Sequence, residues 1–286
     1  MTTMVWTLVI LVLIFLSARF MATKIYDIKL IPHSETPDKF GFHFEEHHFP
    51  TQNNRSLYGW WVPAENDSAK APTLILVHGW NRNLGRMLRY IEHLHPRGYN
   101  LLAFDARHHG SSDKDGHASM YKFGQDVQAA VKHVRTLDID PDRIGVLGLS
   151  IGGAGSIYAA GIEPSIKAVV TVGAPAHPVD VMRREFKRHH LPGFLIWIIL
   201  KQLEWQIGAK YSSFAPSENI AKSAAAFLII HGADDRVVLP SQGEKLHQAA
   251  QPNRSELWQI SDFAHSNCHH EPTFWDRVHK FLTNQL

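Results

Sequence analysis

The sequence predicts an α/β protein, a mostly parallel sheet flanked by helices on both faces with one helical insertion. Three observations predict it. From Pro72 onward, apolar segments of strand length alternate with segments of helical periodicity. One such strand stops on Gly148-Leu149-Ser150-Ile151-Gly152 and continues as a helix of small residues, a tight strand-to-helix turn that exposes its central serine. The alternation is interrupted once, between Val172 and Ala226, where a helical excursion over one end of the sheet is expected.

Composition narrows the function classes. A chain of 286 residues can bury a substantial core, and one large α/β domain suits it. The formal net charge is only +2, and no basic-aromatic array accompanies it, so nucleic acid is not an expected partner. Histidine is frequent, with 20 residues. The pairs His47-His48, His108-His109, His189-His190 and His269-His270 make no ligand spacing, and His265 and His269 lack the intervening carboxylate of a metallohydrolase helix. No metal and no cofactor are expected. The single cysteine, Cys268, excludes an internal disulfide and reads as a small packed side chain.

Taken in order, the chain opens on an apolar stretch from Met4 to Met21. As a helix it is about 27 Å long, enough for a bilayer core if Arg19 snorkels outward. Residues 1–23 are therefore expected to form a single-pass membrane anchor or an uncleaved signal, with residues 24–286 as the folded domain. A cleaved signal peptide is the rival, with a weak site at Leu16-Ser17-Ala18 but no basic residues at the start. Arg19, Lys24 and Lys29 on the C-terminal side put the domain in the cytoplasm by the positive-inside rule.

From Ile25 to Pro63, Phe40, Phe42 and Phe44 alternate, and Leu57 to Val62 follows a polar turn; two or three antiparallel strands are expected. Then come a strand at Thr73–Val77, a helix at Leu84–His95, a strand at Asn100–Phe104 and a helix at Phe123–Leu137. A strand at Arg143–Gly148, a helix at Gly152–Ala160 and a strand at Ile166–Val172 complete the first half of the sheet. After the insertion, strands at Phe227–Ile230 and Glu256–Ile260 flank a helix at Gln242–Ala250, and a helix at Pro272–Leu286 closes the chain.

The insertion, about residues 173–224, carries a basic cluster, Arg183-Arg184-Glu185-Phe186-Lys187-Arg188, and an apolar run from Leu191 to Leu200. One reading is a cap that shapes an apolar substrate pocket and lies against lipid, its bases meeting anionic headgroups. The other is a helix packed on the core with a solvated charged face. The apolar run is too short for a second membrane span.

A serine hydroxyl is a poor nucleophile at neutral pH, so Ser150 needs a base, and the base an orienting acid. In doubly wound sheets such groups lie beyond the carboxyl ends of strands. Ser150, Asp235 and His265 all follow strands in this way, in the order Ser, Asp, His. Asp234 is the neighbour that competes with Asp235, and His269 and His270 compete with His265. Asp126, inside a helix, reads as a helix-surface or packing residue. His78-Gly79-Trp80 follows the strand Thr73–Val77, so the Trp80 amide, with the Ile151 amide at the helix start, could hold a developing oxyanion.

These residues carry a resemblance. From about Ser56 onward the chain resembles the α/β-hydrolase superfamily, in particular its serine esterase, monoacylglycerol-lipase-like and aminopeptidase-like branch. The marks are His78-Gly79-Trp80, Asp105-Ala106-Arg107-His108-His109-Gly110-Ser111-Ser112, the Ser150 turn, Gly232 to Asp235, and Ala264-His265-Ser266. His108 stands where relatives commonly have glycine. The Gly-x-x-Asp-x-x-Val spacing from Gly232 to Val238 favours Asp235 as the acid. The resemblance implies a serine hydrolase acting on a small-molecule ester, with medium or long lipid-like acyl chains suggested by the apolar cap. A peptidase or thioesterase with the same triad, or a catalytically silent membrane-tethered binding protein, is the alternative. Nothing in the sequence sets an oligomeric state.

Overall fold

Eight strands form one sheet in the order β1-β2-β4-β3-β5-β6-β7-β8. In this computed structural model the described residues are Val5, Trp6, Ser17, Arg19, Phe20, Ile28 and residues 30–286. The strands are β1 (Glu45–Thr51), β2 (Arg55–Val62), β3 (Thr73–Val77), β4 (Asn100–Phe104), β5 (Ile144–Leu149), β6 (Ile166–Val172), β7 (Ala226–Gly232) and β8 (Ser255–Ile260). β2 runs antiparallel to both β1 and β4, and every other pairing is parallel.

The parallel strands are short apolar runs because both faces are covered. Ile75, Val77, Val146, Val169 and Ile229 point to one side, into a core shared with α2 (Met120–Val134), α3 (Ile151–Ala160) and α8 (Pro240–Ala249). Leu74, Leu76, Leu147, Val170 and Leu228 point to the other, against α1 (Leu88–Leu94) and α9 (Phe274–Gln285). The period of two along each strand thus fills two cores from one sheet. Four further helices lie between β6 and β7: α4 (Pro178–Arg188), α5 (Gly193–Ile207), α6 (Tyr211–Phe214) and α7 (Pro216–Ile220). The first three have a small core of their own, in which Phe186, Ile196, Ile199, Leu203 and Phe214 meet Met120 and Tyr158, while Ile220 of α7 joins the core of the sheet.

Local chemistry moves several element borders from their expected places. α2 begins at Met120 rather than Phe123 because Ser119 caps it, its side chain accepting from the Lys122 amide. The helix expected over Leu84–His95 is α only from Leu88 to Leu94, with tighter turns at Leu84–Met87 and His95–Arg97; Pro96 removes a donor there. Phe40, Phe42 and Phe44 do not form a strand. Phe40 ends a helical turn and Gly41 is left-handed at φ 78°, which breaks the alternation, yet all three rings pack on the core beneath α1 and α9.

The expected membrane anchor, and the single-pass membrane location with a cytoplasmic domain that rested on it, are not supported. Among the described residues no helix is long and apolar enough to cross a membrane. The apolar helix of the insertion, α5, has 15 residues and spans about 22 Å against the roughly 30 Å of a bilayer core. Most of residues 1–23, including the apolar run at 8–16, lie outside the described residues.

The segment after β4 is held by two buried carboxylates. Asp126 is not on a helix surface; it is fully buried. It accepts from Arg107 Nε at 2.7 Å, the Arg107 amide at 2.9 Å and Thr51 Oγ1 at 2.9 Å. Burial pushes its carboxyl up to about 6, against the pull of the Arg107 charge and these hydrogen bonds. Asp105, also fully buried, accepts from the amides of Leu84 and Ser111 and is bonded by His33 Nε2 at 2.8 Å. His108 takes the left-handed conformation, φ 72°, that a glycine would adopt more readily, and its Nε2 accepts from the Asp115 amide. Removing one partner of a buried ion pair strands the other. Asp126→Ala is therefore expected to destabilise the fold by about 3–5 kcal/mol, measured by urea unfolding; a loss below about 1 kcal/mol, the range of an exposed pair, would contradict that role.

Candidate active site

The site begins with a backbone constraint at the end of β5. Ser150 has φ 53° and ψ −121°, a conformation that costs a non-glycine residue about 1–3 kcal/mol. The turn closes only because its neighbours are small. A Cβ on Gly152 would stand 2.3 Å from the His78 carbonyl oxygen, and one on Gly148 would lie 2.6 Å from Gly152 backbone atoms. The Ser150 amide donates to Val172 O at 2.8 Å and its carbonyl accepts from the Ala154 amide. The hydroxyl is thereby left at the N-terminus of α3.

Two loops at the same sheet end bring partners to it. His265, beyond β8, has Nε2 3.1 Å from Ser150 Oγ and Nδ1 2.6 Å from Asp235 Oδ2. With a carboxylate at Nδ1, that nitrogen carries the proton and donates, leaving Nε2 to accept from the serine hydroxyl. Asp235, beyond β7, is 2% exposed. Its Oδ1 accepts from the amides of Val237 and Val238 at 2.8 and 2.9 Å, while His231 Nε2 is 3.4 Å from Oδ2. Burial opposes ionisation, but the hydrogen bonds from His231, His265 and Val238 and the imidazole charge hold the carboxyl well below the usual carboxylate range. Asp234 is exposed, and His269 is drawn away by Arg89, whose guanidinium approaches its Nε2.

Trp80 and Ile151 line the same cavity as Ser150. A Cβ added to Gly79 would lie 3.5 Å from Ser150 Cβ, so its loop runs alongside the serine. Ile151 opens α3, so its amide has no acceptor inside the helix. His78 fixes the loop: it is fully buried, hydrogen-bonds Gly79 O through Nδ1 at 2.7 Å and accepts from the Ala106 amide at Nε2. Burial lowers its pKa, so the ring is neutral and serves as a strut. The cavity measures about 410 Å³, and its floor is apolar, with Met120, Phe186, Ile207, Tyr211 and Phe214 among its walls. That volume is within the range of small-molecule sites. Among the described residues no group of three or more His, Cys, Asp or Glu could hold a metal ion.

Comparison with known proteins agrees with this architecture. A family profile described as serine aminopeptidase, S33, matches residues 68–201. The esterase Pf2001 of Pyrococcus furiosus superposes with a TM-score of 0.71 at 25% identity, covering 90% of this chain and 96% of its own. The fold is that of the α/β hydrolases. The α/β hydrolase GrgF of Penicillium shares that fold at 16% identity, with a TM-score of 0.67 over 85% of this chain and 99% of its own. The YfhR protein of Escherichia coli (strain K12) is 28% identical over 250 residues, 83% of this chain and 80% of that protein. Hydrolase is the activity class that these similarities support.

Two residues of the site were not singled out by sequence, and a third, His78, was read only as part of the His78-Gly79-Trp80 motif with no role of its own. His231 closes an apolar strand directly before a glycine, and that placement was its only signal. Gly173 is the other. It is left-handed at φ 66°, and a Cβ there would lie 3.0 Å from His265 Nδ1 and 3.4 Å from Asp235 Oδ2. Gly173→Ala is expected to tilt the imidazole and slow turnover of any substrate by about 10²-fold, checked by kcat beside an unfolding curve; unchanged kcat would mean the ring does not need that space.

Beneath Trp80, His109 is 1% exposed and hydrogen-bonds Arg107 O through Nδ1. Burial pushes its imidazole down to about 3, against about 6.5 in an unfolded chain. Between those values the unfolded state binds a proton that the folded state does not. Stability is fully present above about pH 6.5 and declines as pH falls toward 3, by up to about 1.4 kcal/mol per pH unit from this group. His109→Asn is expected to flatten that decline in urea titrations run between pH 7 and 4; an unaltered slope would show that another group carries it.

Proposed function

We propose that this hydrolase is a serine esterase that cleaves carboxylic esters with medium or long, lipid-like acyl chains. The observation that carries the reading is the continuous hydrogen-bonded line from Ser150 Oγ through His265 to Asp235, opening on an apolar cavity. Ser150 Oγ attacks the ester carbon as its proton passes to His265 Nε2, and Asp235 steadies the imidazolium through Nδ1. The Trp80 and Ile151 amides face the developing oxyanion. As the tetrahedral intermediate collapses, the carbon–oxygen bond to the alcohol breaks and the alcohol takes the proton from Nε2. Water then gives a proton to Nε2 and attacks the acyl carbon, releasing the acid and restoring the serine hydroxyl.

The match to a serine aminopeptidase family favours a second reading, hydrolysis of aminoacyl amides. An aminopeptidase must bind a protonated amine, and the charged lining here runs the other way: Arg184, Arg188 and Arg236 against Glu185 alone. A thioesterase shares every step except the leaving atom.

A serine-reactive phosphonate is expected to label the full chain and to lose all labelling in Ser150→Ala. Asp235→Asn is expected to lower kcat by about 10⁴-fold, since it strands the imidazole in the wrong tautomer. Rates on an ester series should rise from acetyl to dodecanoyl, with amide and thioester controls slower. Persistent labelling of Ser150→Ala would remove the mechanism, and a series fastest at acetyl or at the aminoacyl amide would remove the acyl-chain assignment.

A further inference from the structure

The cationic wall of the cavity continues beyond it. Arg184 and Arg188 of α4 and Arg236, next to Asp235, line the catalytic cavity. On the far side of Arg184 lies a second cleft of about 610 Å³, lined by Arg183, Arg184, Lys187, Arg188 and Lys245. The two spaces share Val181, Arg184, Arg188, Val237 and Val238, so they adjoin. Arg184 lines both, donating from its guanidinium to Arg236 O at 2.8 Å and Val237 O at 3.3 Å.

The carboxylates nearby are few and already engaged. Glu185 pairs with Arg188 at 3.1 Å, and Asp180 with Lys245 at 2.8 Å. Among the described residues Arg183, Lys187 and Arg236 have no carboxylate partner. A basic helix face can simply be solvated, but Arg183 and Lys187 line one cleft with Arg184, Arg188 and Lys245, together with the exposed apolar side chains of Val237 (59% exposed) and Leu239 (40% exposed). Like charges gathered in a cleft repel one another and focus an anion-attracting field. Guanidinium forks with a flexible ammonium suit phosphate oxygens.

We propose that the substrate's leaving group carries a phosphate, which this cleft holds while the acyl chain fills the apolar cavity. The proposal rests on the esterase reading and names the alcohol or thiol side of its substrate. Only the acyl bond to the leaving oxygen or sulfur breaks; the phosphate leaves intact on the departing alcohol or thiol.

Two matched pairs test it on the full chain: monododecanoylglycerol against its phosphate monoester, and S-dodecanoylpantetheine against its phosphate, each below its aggregation concentration. The phosphorylated member of at least one pair is expected to show a kcat/KM about tenfold higher at low salt, the size of one or two exposed charge contacts. That ratio should fall toward parity in about 1 M salt, where charges are screened within about 3 Å. The double variant Arg183→Glu with Lys187→Glu should lower it by about fivefold or more, and Lys280→Glu, on exposed α9 surface, should leave it unchanged. The glycerol pair responding alone identifies a glycerophosphate ester, the pantetheine pair alone a phosphopantetheine thioester. Parity within both pairs, or a ratio indifferent to salt and to the double variant, overturns the proposal while leaving the esterase intact. Failure of every substrate together with absent phosphonate labelling overturns the esterase reading, and this one with it.

Discussion

The rest of the structure is arranged around the turn that β5 makes at Ser150. A serine held at positive φ needs backbone, not side chains, on either side of it, so Gly148 and Gly152 sit against the turn and the His78 carbonyl approaches one of them closely. That approach places the loop after β3 alongside the serine. The parallel register of β5, β6, β7 and β8 then brings the loops of Gly173, Asp235 and His265 to the same end. The strain at one residue is small beside the burial of two apolar faces of the sheet, at about 25 cal/mol per Å², and that burial keeps the turn closed.

Much of this was legible in the sequence because it depends on short-range pattern. The strands Thr73–Val77, Asn100–Phe104 and Ile166–Val172 fall at the expected residues, since each is a short, mostly apolar run of strand length. The Ser150 turn was legible from its glycines and the order of the loops that follow. Less legible were the interactions that close across the chain. Asp126 reads as a helix-surface or packing residue, and only Arg107 and Thr51 around it decide for packing; Gly173 reads as an ordinary loop glycine until His265 arrives from 92 residues further along the chain. The aromatic alternation at Phe40, Phe42 and Phe44 imitates a strand, but Gly41 turns the chain and the same rings, half-buried, pack on the core from an irregular segment.

The insertion shows why composition settles less than geometry. Its apolar and basic residues are adjacent in sequence, and within α4 they divide between two faces. Phe186 enters the small core of the insertion while Arg183 and Lys187 remain outside it. The short helix α6 closes that core with Tyr211 and Phe214, Tyr211 Oη donating to the Leu200 carbonyl at 2.9 Å. The cavity beside Ser150 is therefore walled by the insertion on one side and by the sheet end on the other. Its apolar walls and the line of Ser150, His265 and Asp235 belong to different parts of the fold, and the two can vary separately.

The contact of His33 with Asp105 bears on where the folded unit starts. His33 stacks on Tyr58 at 5.4 Å between ring centroids, and Asn83 holds the carbonyl oxygens of Ile31 and Pro32. The segment ahead of the sheet thus closes a ring with the β3 and β4 loops, although β1 begins only at Glu45. A fragment cut at the first strand would strip a buried carboxylate of its histidine and reopen the loop that carries Trp80. The folded unit therefore takes in Ile31 to His33, within the stretch that a secondary-structure diagram would draw as a tail.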